Sequence, residues 1–165
     1  MIEVVVGDLA QIRVDAVLRL STDGLAPVGP LTNRLDAAAG PDFARHRATR
    51  EPLDIGAAIV TGAGDLAAQF VIHAVVHTDL HRTSRSTIER ALVSAWQRAA
   101  DWGLCTLAAA PPGVGAGLEP ADASALLIES FTARCTALSD PPTLTIVVED
   151  EAERARIEAE LRTVP

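Results

Sequence analysis

The sequence has no Tyr and no Lys, and aromatic residues make up only 3% of its 165 positions. Ala, Val, Leu and Ile must therefore fill the interior, and modules that stack nucleic-acid bases on aromatic side chains are not expected. All 14 basic residues are Arg, which we interpret as a compositional bias. The net charge of -8 opposes binding to a phosphate backbone by counterion release, so we expect no general nucleic-acid binding.

Cysteine and long apolar runs are also scarce. The two cysteines, Cys105 and Cys135, are too few for a disulfide framework or a multi-cysteine metal site, and their apolar surroundings predict buried thiols with a raised pKa. The start of the chain lacks the pattern of a signal peptide. No apolar run approaches the ~20 residues that span a bilayer, so we expect a cytoplasmic protein without a membrane partner.

Short apolar runs alternate with helical patterns along the chain. Strands are predicted at residues 2–6, 15–20, 58–61, 70–76, 104–109 and 144–148. Helices are predicted at 31–39, 86–102 and 121–138, followed by a charged terminal helix from an Asp150 cap to about residue 162. The length fits one domain over residues 1–165, and the alternation predicts an α/β sheet covered on both faces.

Unusual residues follow four of these strands, namely Asp8, the run 21–23, the glycine run 113–117, and Glu149 with Asp150. In open α/β sheets ligands bind outside the carboxyl ends of the strands. If the four strands are parallel, these junctions share one edge of the sheet. The sequence therefore predicts one cleft lined by Asp8, Thr22, Gly115 and Glu149.

The segment PPGVGAGLEP at 111–120 is a Gly-rich loop between a strand and a helix. Its backbone N–H groups, with the positive end of the following helix, would suit a phosphate. It lacks the Lys and Ser/Thr of a Walker A loop and the spacing of GxGxxG, so a flexible turn is equally open. Asp8 is interpreted either as a turn cap or as a carboxylate that accepts a ligand amino group.

Three histidines, His73, His77 and His81, recur every fourth residue, as metal ligands on a helix would. Their segment predicts a strand instead, where residues four apart are separated by roughly 13 Å. We therefore expect no metal site and a partly buried core position for His73.

Taken together, these segments occur in the order typical of a macro domain, the ADP-ribose-binding α/β module. GDLA at 7–10 resembles its Gly-Asp-Ile-Thr turn, and VDAVL at 14–18 resembles its second strand. The stretch 54–76 is similar to its central Gly-Glu-Ala, Thr-Gly and Val-Ile-His region, and 111–120 to its second phosphate loop. The resemblance implies a three-layer α/β/α domain with a mixed sheet of about six strands.

The resemblance also implies a partner and a set of contacts. The partner would be an ADP-ribose-like nucleotide, free or attached to a modified protein, and no cofactor is implied. Asp8 would bind the adenine amino group, with the Leu9 N–H nearby. Further ligand contacts would come from Thr22, Gly29, Leu31, Gly113, Val114, Gly115, Ala116, Gly117 and Glu149.

The first loop departs from the family pattern. Arg19-Leu20-Ser21-Thr22 stands in place of Asn-Ala-Ala-Asn, so Thr22 replaces the Asn that orients the distal ribose. The following glycine run becomes 27–30, in which Pro27 and Pro30 each remove a backbone donor. No aromatic residue follows the last strand, where many family members stack the adenine. Arg19 must pair with a carboxylate or reach solvent, and we expect it to reach solvent or to contact a ligand phosphate.

Three functions stay open from the sequence. The chain could show residual or altered binding of an ADP-ribose-like nucleotide beside a degraded catalytic loop, which is the interpretation we favour. It could hydrolyse an ADP-ribosyl or O-acetyl-ADP-ribose ester, with Thr22 and Asp23 as the candidate catalytic residues. It could also be a ligand-dead scaffold for protein contacts. We expect poor or no turnover even if the nucleotide binds.

Overall fold

The computed structural model describes residues 1–136 and 138–163. Its strands are β1 (Ile2–Val6), β2 (Ala16–Thr22), β3 (Ala58–Gly62), β4 (Phe70–His77), β5 (Thr106–Ala109) and β6 (Thr143–Val148). Its helices are α1 (Pro30–Ala39), α2 (Pro41–His46), α3 (Arg85–Asp101), α4 (Pro120–Cys135) and α5 (Glu151–Leu161), with a 3-10 turn at Leu9–Gln11. The bounds of the predicted strands and helices are confirmed to within a few residues, whereas α2 and the 3-10 turn were not predicted. Within the predicted helix 121–138, Ala137 lies outside the described residues.

The six strands form one mixed sheet in the order β1-β6-β5-β2-β4-β3. Every neighbouring pair is parallel except β3 with β4, which is antiparallel. Strands β1, β2, β5 and β6 are therefore mutually parallel, and their carboxyl ends share one edge. The segments that follow them meet at that edge, as the sequence predicts.

Helices cover both faces of the sheet, which confirms the three-layer α/β/α architecture. Side chains of α3, α4 and α5 pack with Ala16, Leu18 and Leu20 of β2 in the larger core. Side chains of α1, α2 and the 3-10 turn pack with Val17 on the opposite face. The period of two along β2 thus assigns successive residues to opposite cores. Within the described residues no helix is long and apolar enough to span a bilayer.

The smaller core contains a buried ionic cluster around Arg19, which is 3% exposed. The expectation that this side chain reaches solvent is wrong, because β2 continues to Thr22 and places Arg19 in mid-strand. Its guanidinium pairs with Asp36 of α1 at 3.2 Å, and Arg47 pairs with the other oxygen of that carboxylate, also at 3.2 Å. Burial raises the pKa of Asp36 and lowers the pKa of Arg19 to about 10.

The same cluster fixes the loop after β2. Arg19 Nη2 and Arg47 Nη1 both donate to the carbonyl oxygen of Leu25, at 2.5 and 2.6 Å. Leu25 is fully buried and has a φ of 63°, a left-handed conformation that costs a non-glycine residue roughly 1–2 kcal/mol. Two charged donors on one carbonyl oxygen are strong enough to stabilise this conformation.

His73 lies beside Arg19 in the sheet and is fully buried, more than the partial burial expected. Its Nδ1 accepts from Arg19 Nε at 3.0 Å, so the ring proton resides on Nε2, which lies 2.7 Å from Thr61 Oγ1. Burial and the nearby guanidiniums of Arg19 and Arg47 hold the pKa of His73 well below its usual value. The imidazole is therefore a neutral structural partner.

The prediction of a buried thiol is wrong for Cys105 and holds in part for Cys135. Cys105 is exposed because β5 begins only at Thr106, and its backbone N–H donates to Asp15 at 2.8 Å. Cys135 is partly buried at the end of α4, and burial raises the pKa of its thiol as expected.

The buried cluster predicts a large stability effect at Asp36. Replacing it in Asp36→Asn leaves two buried guanidiniums without their counter-charge, which is expected to lower the free energy of unfolding by about 3 kcal/mol. Asp42→Asn is the matched control, because Asp42 forms an exposed pair with Arg45 and should change stability by less than about 0.5 kcal/mol. Urea denaturation of both variants tests this. Equal small losses would show that the cluster does not stabilise the fold.

Candidate functional site

A cavity of about 290 Å³, called here the main cavity, opens at the shared carboxyl edge of the strands. Its walls come from the ends of β2 and β6, the first turns of α1, and the loop 110–116. Leu9, Leu18, Val147 and Val148 supply much of its apolar surface. An apolar cavity with backbone amides at its rim is the usual form of a small-molecule site.

Two segments meet at the rim of this cavity, the N-terminus of α1 and the loop 113–116. A Cβ atom built on Gly115 would lie 3.4 Å from Pro30, and one built on Gly29 would lie 3.8 Å from Ala116. The amides of Ala116 and Leu118 donate to the Gly113 carbonyl, which shapes the second loop. Among the described residues, the amides of Val114 and Gly117 have no backbone acceptor, whereas Gly115 lies in a short bridge between Val114 and Leu118. The N–H groups of Val114 and Gly117 are the donors that an anion would use.

The N-terminus of α1 also faces the main cavity. Gly29, Pro30, Leu31 and Thr32 line the cavity, and Gly29 caps α1 without a side-chain hydrogen bond. The first-turn amides of α1 thus supply the positive end of a helix dipole. The sequence predicts this role for the helix after the Gly-rich loop, whereas no described residue of α4 lines the main cavity.

A second cavity of about 210 Å³, called the side cavity, adjoins the first. The two share the lining residues Leu9, Leu31, Arg34, Leu35, Val147, Val148 and Glu149. Asp8 lines the side cavity and also caps the 3-10 turn, because its Oδ1 accepts from Ala10 N at 2.9 Å. The capping interpretation is therefore confirmed, and it leaves Oδ2 available to a ligand.

The prediction that Thr22 lines the cleft is wrong, because neither Thr22 nor Asp23 is among the described residues that line the two cavities. The Thr22 hydroxyl oxygen accepts from Ala26 N at 3.1 Å, inside its own loop. The backbone of Asp23 bonds to His77 and Leu53. Gly117 also lines neither cavity. The other residues predicted to contact the ligand do line the main cavity, namely Gly29, Leu31, Gly113, Val114, Gly115, Ala116 and Glu149.

Sequence reasoning misses Arg34 and Thr32, which both line the main cavity. Arg34 forms an ion pair with Glu149, and both side chains remain largely exposed, at 62% and 71%. Arg34 and Thr32 lie in the first turns of α1, so they line the cavity only because the N-terminus of that helix faces it. In the described ranges no cluster of three His, Cys, Asp or Glu side chains is placed to bind a metal ion.

Comparisons with known proteins agree with this architecture. A family model described as Macro domain matches residues 24–128. An uncharacterized protein of Mycobacterium tuberculosis is 30% identical over 154 residues, which are 93% of this chain and 43% of that protein. This chain therefore spans less than half the length of that relative.

A protein of Enterobacter sp. (strain 638) named O-acetyl-ADP-ribose deacetylase is 30% identical over 157 residues, covering 91% of this chain and 87% of that protein. The structure of the Oceanobacillus iheyensis macrodomain with ADP matches with a TM-score of 0.75 at 19% identity, covering 98% of this chain and 90% of that one. The chain belongs to the macro domain family.

Proposed function

We propose that this protein binds ADP-ribose, or a nucleotide like it, in the cleft formed by the main and side cavities. The observation that carries the proposal is that the N-terminus of α1, at residues 29–32, and the loop 113–116 together present backbone amides at the rim of an apolar cavity. Backbone amides and a helix N-terminus together stabilise a phosphate without a lysine, of which the chain has none.

The two ends of the nucleotide have different surroundings in this proposal. The diphosphate lies between the loop 113–116 and the first turn of α1. The adenine enters the side cavity, where Asp8 Oδ2 accepts from its amino group and the Leu9 N–H is nearby. The apolar surface of Val147 and Val148 lies between these polar ends and excludes water from the base.

The relatives support a nucleotide diphosphate as the ligand class. The Oceanobacillus iheyensis structure contains ADP, and the Enterobacter protein is named for O-acetyl-ADP-ribose. The free nucleotide and an ADP-ribosyl group on a protein share the chemistry that this cleft would recognise.

We further propose that turnover is slow or absent. The Thr22 hydroxyl oxygen accepts from Ala26 N, and Arg19 and Arg47 fix the same loop at Leu25. The Thr22 hydroxyl could not move toward a bound ribose without losing its hydrogen bond to Ala26 N, and the loop could not shift without breaking those to Leu25. Misplacement of a reacting group by ~1 Å can lower a rate on the order of 100-fold.

The binding proposal predicts that a substitution at Gly115 weakens the binding of ADP-ribose. Its φ is 75°, so Gly115→Ala would favour a different loop conformation in the free protein. We expect the affinity for ADP-ribose to fall about tenfold, because binding must restore a conformation that costs about 1.4 kcal/mol. Isothermal titration calorimetry measures this difference.

Gly103→Ala is the matched control for this experiment. Gly103 has a φ of 63° and open space around it, and it follows α3 away from the cleft. We expect a similar loss of thermal stability and an unchanged affinity for ADP-ribose. No heat of binding with the wild-type protein at millimolar ADP-ribose would refute the proposed function.

The catalytic proposal predicts little release of product from O-acetyl-ADP-ribose or from an ADP-ribosylated protein. We expect fewer than about one turnover per enzyme in an hour, since neither Thr22 nor Asp23 lines the main or the side cavity. Chromatographic detection of the product tests this. Multiple turnovers that Asp23→Ala abolishes would instead identify a hydrolase in which Asp23 is catalytic.

A further inference from the structure

An ion pair lies where the two cavities adjoin. Arg34 of α1 donates through Nη2 to Glu149, the residue that follows β6. Both residues line the main cavity and the side cavity. A ligand that occupied both cavities would therefore pass directly along this pair.

The cleft has an apolar floor but no aromatic ring. The chain contains three Phe, two Trp and no Tyr. All five rings belong to described residues, and none of them lines either cavity. Phe43 and Phe131 are buried in the two cores, and Phe70 packs edge-to-face on Trp102. A purine in the side cavity would need another planar group for stacking.

Arg34 is suited to that role. Its guanidinium is planar, weakly hydrated on its faces, and able to stack on an aromatic ring. Guanidinium N–H groups lie in the plane of the group, so the hydrogen bond to Glu149 does not occupy its faces, and the side chain is 62% exposed. The other cation of the main cavity, Arg19, already donates to His73 and Leu25.

We propose that Arg34, oriented by Glu149, stacks on the purine of the bound nucleotide and so selects for a ligand with a base. This inference rests on the proposed function, and it concerns the base specificity of that same site. The alternative is that Arg34 neutralises the diphosphate as a point charge. The two roles differ in their response to lysine, which keeps the charge and loses the planar group.

The test is calorimetric titration of wild type, Arg34→Lys and Arg34→Gln with two probes, ADP-ribose and ribose 5-diphosphate, which lacks the base. We expect both variants to lose about tenfold in affinity for ADP-ribose. Arg34→Lys should keep its affinity for ribose 5-diphosphate.

Arg45→Lys and Arg45→Gln are the matched controls. Arg45 is an exposed α2 residue that pairs with Asp42 and lines neither cavity, so both probes should bind these variants as they bind wild type. Full affinity of Arg34→Lys for ADP-ribose, with Arg34→Gln weakened for both probes, would overturn stacking in favour of charge. If wild type bound neither probe, the proposed function itself would fail, which is a distinct result.

Discussion

The buried guanidinium of Arg19 connects the parts of the molecule that form the cleft. It joins β2 to α1 through Asp36, β2 to β4 through His73, and β2 to the following loop through the Leu25 carbonyl. Isolated burial of such a charge would be strongly unfavourable, so every one of its partners is needed. Because Asp36 is also paired with Arg47, the orientation of α1 depends on the same cluster. The N-terminus of α1 then faces the main cavity.

The two loops that border the cleft differ in rigidity. The loop after β2 is fixed by two guanidiniums and by the Thr22 hydrogen bond, and Val28 and Gly29 at its end line the main cavity. The loop 113–117 relies on glycine conformations and on few internal hydrogen bonds. Adjustment to a ligand is therefore expected mainly in the second loop.

Periodicity was sufficient to predict the strands, the long helices and the edge of the sheet where the site lies, because apolar alternation and helical stripes are local signals. The family resemblance added the mixed sheet, and it is also the source of the ligand-binding role proposed for the glycine run. The position of Arg19 was not predictable in this way, since a charge after an apolar run usually marks the end of a strand. Its partners Asp36 and Arg47 are 17 and 28 positions further along the chain. Arg34 escaped for the same reason: its place in the cleft depends on how α1 packs.

A crystal structure of the complex with ADP-ribose tests the central claim most directly. The account predicts the diphosphate between residues 29–32 and 113–117, the adenine in the side cavity near Asp8, and Arg19 still paired with Asp36. A complex in which Arg19 leaves Asp36 for a phosphate, with the loop after β2 displaced, would contradict it. So would a nucleotide bound away from the carboxyl edge of the sheet.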